Sequence, residues 1–228
     1  MVMHCRSTRR HFLQTTATAA GLTVAPNWLR AAVPTVPDRK SFSFVLLGDL
    51  HFDRPEHHDM AWVQKDKPND IRQIEGYCRN TREVTPKLFA TVRETIATLN
   101  QSPATRVAFV LQVGDLVEGL CGSEELSVRQ NSESLAFVRA AQLGVPFLFT
   151  KGNHDITGPG AVAAFGNVFH PFLTEQAKAV SPASTGVKGA CYTVDCGPAQ
   201  FACFDAYDAA KSLEWFEAVA AKRTAEHL

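Results

Sequence analysis

The sequence of 228 residues holds 23 basic and 23 acidic side chains, with 45% hydrophobic and 20% charged residues. That composition fits one globular domain, and the zero formal charge gives no electrostatic reason for nucleic acid or an acidic membrane surface as partner. The charge is uneven: residues 1–32 hold Arg6, Arg9, Arg10 and Arg30 and no acid, which leaves 19 basic against 23 acidic side chains for the rest.

Thr8-Arg9-Arg10-His11-Phe12-Leu13-Gln14 opens an Ala/Thr-rich, weakly apolar stretch to Ala25, and Leu29-Arg30-Ala31-Ala32 supplies small residues for cleavage. The stretch is too short and too polar for a spanning helix. It resembles a bacterial twin-arginine signal, with a disordered or helical arm as the alternative. The resemblance implies that residues 1–35 are signal and linker. It also implies that the twin-arginine export machinery carries the folded protein to the periplasm or beyond.

Past the linker at Pro34 and Pro37, Phe42, Phe44, Val45, Leu46 and Leu47 form a dense apolar run, as in a strand buried on both faces. Residues 53–80 are polar without a clear period and read as a long loop. A helix starts at Thr85 as cap and Pro86 at its first position, with Leu88, Phe89, Val92, Ile96 and Leu99 inward. Residues 107–113 form a second buried strand. A helix over 131–143 turns Leu135 and Val138 inward and ends at Gly144, and residues 145–150 make a third strand. Alternating strands and helices mean a parallel sheet with right-handed crossovers. Then come a helix over 161–172, strands over 190–195 and 201–206 joined at Gly197-Pro198, and a helix over 212–226 with Leu213, Phe216, Val219 and Ala220 on its inner side. Five cysteines follow the signal. An odd number argues against a disulfide framework, and most read as small buried hydrophobes.

Three segments directly follow the parallel strands: Asp49-Leu50-His51, Gly114-Asp115 and Gly152-Asn153-His154-Asp155. Ligands of open parallel sheets bind beyond the carboxyl ends of the strands. Asp49 and His51, two apart in extended chain, project to one side and can share an ion. Asp115 can bridge two ions, and Asn153 offers a neutral oxygen. Gly48, Gly114 and Gly152 precede ligands, where the backbone is expected to turn tightly. His57-His58-Asp59 reads as solvated loop, with a place bordering the site as the other reading. His170 is expected to pack or to face solvent.

The ordered D-x-H, G-D and G-N-H-D blocks resemble the calcineurin-like metallophosphoesterases, over about residues 42–228. The resemblance implies an α/β fold, the four-layer α/β/β/α metallophosphoesterase sandwich, over residues 41–228. It further implies hydrolysis of small-molecule phosphate mono- or diesters at two divalent ions such as manganese, iron or zinc. Asp49 and His51 then hold the first ion, Asp115 bridges and Asn153 holds the second. His154 and Asp155 are the catalytic pair, His154 acting on the phosphate or leaving oxygen and Asp155 orienting His154 or the loop. Purple acid phosphatases carry an iron-binding tyrosine three residues after the bridging aspartate; Glu118 stands there, which disfavours that subtype. The family's late His and G-H-x-H are absent from these 228 residues. The expectation is therefore the N-terminal part of a longer enzyme with its last strands missing, whose second sheet leaves an apolar face and an edge exposed. A non-catalytic relic that binds metal weakly or not at all is the rival, and a flavodoxin-like or receiver-type domain the third reading, opposed by His51 and His154.

Overall fold

A computed structural model describes residues 41–184 and 187–228. Residues 1–35, read in the sequence as a twin-arginine signal and linker, lie outside the described residues. Strands β1 (Ser43–Leu47), β2 (Val107–Gln112) and β3 (Phe147–Phe149) form a parallel sheet in the order β1-β2-β3. The register sets Leu47 beside Gln112 and Gln112 beside Phe149, so the three carboxyl ends are level and all three motifs leave one edge of the sheet.

The apolar runs are strands because both faces are covered. Phe109 and Val110 of β2 are completely buried. Helix α3 (Thr85–Leu99) turns Phe89, Val92 and Ile96 into the core, and α4 (Glu124–Ala140) turns in Leu135 and Val138. A run made of α5 (Ala161–Ala164), a π turn at Phe165–Phe169 and α6 (His170–Val180) brings Phe165, Phe169 and Phe172 around Phe149. Strands β4 (Tyr192–Cys196) and β5 (Ala199–Cys203) make an antiparallel hairpin at Gly197-Pro198. Phe201 meets Phe44 and Phe109 edge-on, at 5.3 and 5.1 Å between ring centroids, and the Tyr192 hydroxyl donates to the Phe149 carbonyl. The protein is thus an α/β fold whose parallel sheet carries helices and faces a second, two-stranded sheet.

Several elements differ from the sequence reading. Residues 53–80 are not a loop: they fold into α1 (Met60–Asp66), the start of α2 (Ile71–Glu83) and two short 3-10 turns. Asp59 caps α1 by accepting from the N–H groups of Ala61 and Trp62. Ile71, Ile74, Cys78 and Thr81 recur at three- and four-residue spacing, a stripe too sparse to stand out among polar neighbours. It faces a small core of its own around Val63, Ile74 and Leu120. Only Val84 separates α2 from α3, so the Thr85 hydroxyl donates to the Asn80 carbonyl instead of capping, and Leu88 stays exposed. Ser123 caps α4 well before residue 131, and left-handed Gln142 and Gly144 both lie beyond its end. The last helix, α7 (Ala209–Lys222), buries only Ser212; Leu213 is 60% exposed because no described element covers that side.

His57 and His58 are buried, not solvated. His58 Nδ1 meets the Leu120 carbonyl at 3.0 Å and its Nε2 meets Asp53 at 2.8 Å. Both partners accept, so both ring nitrogens donate, and His58 is an imidazolium facing a carboxylate. Asp53 also accepts from the Arg54 N–H and from Gln130 Nε2, while its own N–H goes to Thr81. Burial opposes both charges, but the hydrogen bonds and charges of His57 and His58 outweigh it and hold the Asp53 carboxyl below its ordinary pKa. Burial is likewise outweighed at His58, where the bond to Asp53 and its charge push the imidazole up. This pair pins the 53–83 segment to α4.

Asp53→Asn leaves the His58 charge unpaired and is expected to cost about 3–5 kcal/mol, read as a lower urea midpoint. The stabilisation is complete between the ordinary carboxylate and imidazole values of about 4 and about 6.5. It is lost as pH falls through the lowered pKa of Asp53 and as pH rises through the raised pKa of His58. The gap between wild type and Asp53→Asn should therefore be widest near pH 5–6 and narrow on the alkaline side.

Candidate metal centre

Beyond the strands the chain ends stay knitted together. The N–H groups of Leu50 and His51 both donate to the Asp115 carbonyl at 3.0 Å, and that of Phe52 donates to Leu116. His51 (φ 45°) and Asp115 (φ 54°) both sit in the left-handed region, which non-glycine residues enter at a cost of about 1 kcal/mol or more. Buried Gln112 bridges the strand ends, donating to the carbonyls of Gly48 and Gly114 and accepting from the Gly114 N–H. Asp155, fully buried, accepts from the N–H groups of Gly152 (2.8 Å), Asp115 (3.1 Å) and Val117 (3.1 Å). Burial pushes its pKa up to about 7, against the pull of those donors. Its carboxylate therefore holds the two loops and faces no open site.

A side chain at residue 152 would collide with this arrangement: its Cβ would stand 2.1 Å from Asp115 Oδ1 and 2.2 Å from the Asp115 nitrogen. Gly114 has φ 103° and abuts Gly152. Gly48, expected to be needed for a tight turn, has open space around it and no left-handed φ.

In front of Asp155 the functional side chains converge on Glu118, which is completely buried. His51 Nδ1 donates to Glu118 Oε2 at 2.7 Å, and Gln73 Nε2 donates to Oε1 at 2.9 Å. His154 Nδ1 donates to the Glu118 carbonyl at 2.8 Å and lies 3.4 Å from Oε2, and the His154 backbone N–H donates to Asp115 Oδ1. The His51 and His154 rings meet edge-to-face at 4.6 Å. Burial lowers the His51 pKa but is outweighed by the hydrogen bond and charge of Glu118, then by Asp115 and Asp49, so the imidazole is held above its ordinary value. The structure thus joins His51, Asp115 and His154 directly. Asp49 is exposed and acts on His51 through its charge. Asn153 is exposed, and its side chain makes no hydrogen bond among the described residues.

The donor set fits a divalent cation. Ligand atoms of His51, Glu118 and His154 lie within 4.8 Å of one another. His51 Nε2 and Asp115 Oδ2 stand 4.0 Å apart, too far for a hydrogen bond but within the span of two ligands about 2.1 Å from one ion. Donation from His51 Nδ1 to Glu118 leaves the Nε2 lone pair for the ion, the usual carboxylate–histidine–metal arrangement. Asp53, His58 and Cys78 form a second group of ligand types, but there both His58 nitrogens already donate, and Cys78 Sγ contacts Asp53 at 3.4 Å. That group is a closed ion pair.

A family model described as calcineurin-like phosphoesterase matches residues 42–217. The chain belongs to that family. No curated protein matches it. Membership makes this calcineurin-like phosphoesterase a hydrolase of phosphoesters in general terms, and its candidate metal ligands stand where the matched domain brings its strand ends together. The sequence reading used Glu118 only to sort subtypes; the structure makes it the hub of this phosphoesterase's site. Gln73 and Tyr77 were missed with the helix that carries them, and the 71/74/78 spacing was the available signal. No described helix is long and apolar enough to cross a membrane.

Gly152→Ala is expected to destabilise the fold by about 1–3 kcal/mol through overpacking and to abolish Mn2+ binding in calorimetry. Gly48→Ala should shift stability by no more than about 0.5 kcal/mol and bind Mn2+ like wild type.

Proposed function

We propose that the protein hydrolyses small-molecule phosphate mono- or diesters with two divalent ions, manganese, iron or zinc, held at the carboxyl ends of β1, β2 and β3. The observation that carries this reading is the 4.0 Å gap between His51 Nε2 and Asp115 Oδ2, with His51 Nδ1 anchored on Glu118. Asp49 and His51 would hold the first ion and Asn153 the second, with Asp115 available to both. When bound, such ions neutralise phosphate oxygens and acidify water.

The side chains have distinct tasks. Glu118 fixes the His51 tautomer and ring plane. His154 gives its Nδ1–H to the Glu118 carbonyl, so Nε2 is the atom that meets the phosphate or holds the proton for the leaving oxygen. Asp155 positions the His154 loop through backbone N–H groups and is not itself placed to touch substrate. Export rests on the Arg9-Arg10 segment: the protein acts in the periplasm or outside the cell after twin-arginine transport.

With p-nitrophenyl phosphate and bis(p-nitrophenyl) phosphate as substrates and Mn2+ added, Asp115→Ala should reduce turnover at least ~100-fold, and His154→Ala by about 10²–10⁴. Equal rates for wild type and Asp115→Ala would sink the assignment. Replacing both Arg9 and Arg10 by Lys should retain the protein in the cytoplasm on cell fractionation; unchanged export would remove the twin-arginine route.

A further inference from the structure

The 53–83 segment is folded around its own apolar cluster and locked by the Asp53–His58 pair, and it puts one helix against the metal centre. The apolar stripe of α2, Ile71, Ile74 and Cys78, faces that cluster. A neighbouring face carries Gln73 and Tyr77, four residues apart and therefore side by side. Gln73 donates to Glu118 Oε1, the oxygen that His51 does not use. The Tyr77 ring lies flat on the His51 imidazole, with centroids 4.0 Å apart and planes within 11°. The phenol feels the charges of Glu118, Asp49 and Asp115, which places it among the site carboxylates.

His51 is then held on three sides: Nδ1 by Glu118, one ring face by Tyr77, and the His154 ring edge-to-face. The residue needs such support, because its backbone sits in the left-handed region with φ 45°. Tyr77 lies outside both apolar clusters and is only half-buried, so core packing does not account for its place.

We propose that Tyr77, assisted by Gln73, is a positioning residue that clamps the His51 imidazole against Glu118 in its metal-ligating orientation. The role rests on the reading of His51 as a ligand. Loss of such outer support from a ligating histidine costs about 10–100-fold in metal affinity.

The test uses the full chain. Without metal, the His51 ring proton resonance, assigned with His51→Asn, should be shifted upfield by the stacked phenol. Tyr77→Phe keeps the ring and should keep both this shift and the wild-type Mn2+ affinity by calorimetry. Tyr77→Leu should lose the shift and bind Mn2+ at least ~10-fold more weakly, with the other histidine resonances unmoved. A wild-type chain that binds no Mn2+ overturns the metal reading and the clamp with it. Equal Mn2+ affinity in wild type and Tyr77→Leu overturns the clamp alone. So does a phenylalanine variant as weak as the leucine one, or a leucine variant that unfolds, which would make Tyr77 a residue of the fold only.

Discussion

The carboxylate of Asp155 is the contact on which the site's geometry depends. It collects N–H groups from Gly152 on its own turn and from Asp115 and Val117 on the loop after β2. Two strand ends distant in sequence thereby become one surface, and Asp115 is driven so close to Gly152 that no side chain fits between them. Burying a carboxyl group is costly unless its oxygens are hydrogen-bonded, and backbone donors whose positions are set by a sheet supply those bonds without added side-chain entropy.

Glu118 performs a second act of convergence in front of it. One of its oxygens takes His51, the other takes Gln73, and its main-chain carbonyl takes His154. Each donor comes from a different segment, so the residue coordinates the loop after β1, helix α2 and the loop after β3. The electrostatic result is a site where burial lowers the proton affinity of His51 but Glu118 first, then Asp115 and Asp49, raise it by more. The same field that holds a proton there favours a divalent cation once that proton leaves.

The parallel core was legible in the sequence because strands buried on both faces read as unbroken apolar runs, as in Phe44–Leu47 and Val107–Leu111. The motif positions were legible because each follows such a run. Less visible was whatever depended on contact between segments. Residues 53–83 have few apolar residues, and their helices form because Val63 and Ile74 meet Leu120 from beyond β2. Glu118 looks like any exposed glutamate until three donors surround it. Gly48 shows the opposite error: its place before a motif imitated a requirement that the backbone does not impose. In α7 the amphipathic spacing of Leu213, Phe216 and Val219 was real, yet Leu213 remains exposed, since periodicity states which side could be buried but not whether anything covers it.

The separate small core of the 53–83 segment also bears on motion. Val63, Ile74 and Leu120 enclose far less apolar surface than the core around the sheet, so this segment belongs to the part of the molecule that opens at lower free energy than the whole. Helix α2 stands over His51, and its lifting would expose the ring and release Glu118 from Gln73 while β1, β2 and β3 stayed paired. Heating would disorder the site before it melts the sheet.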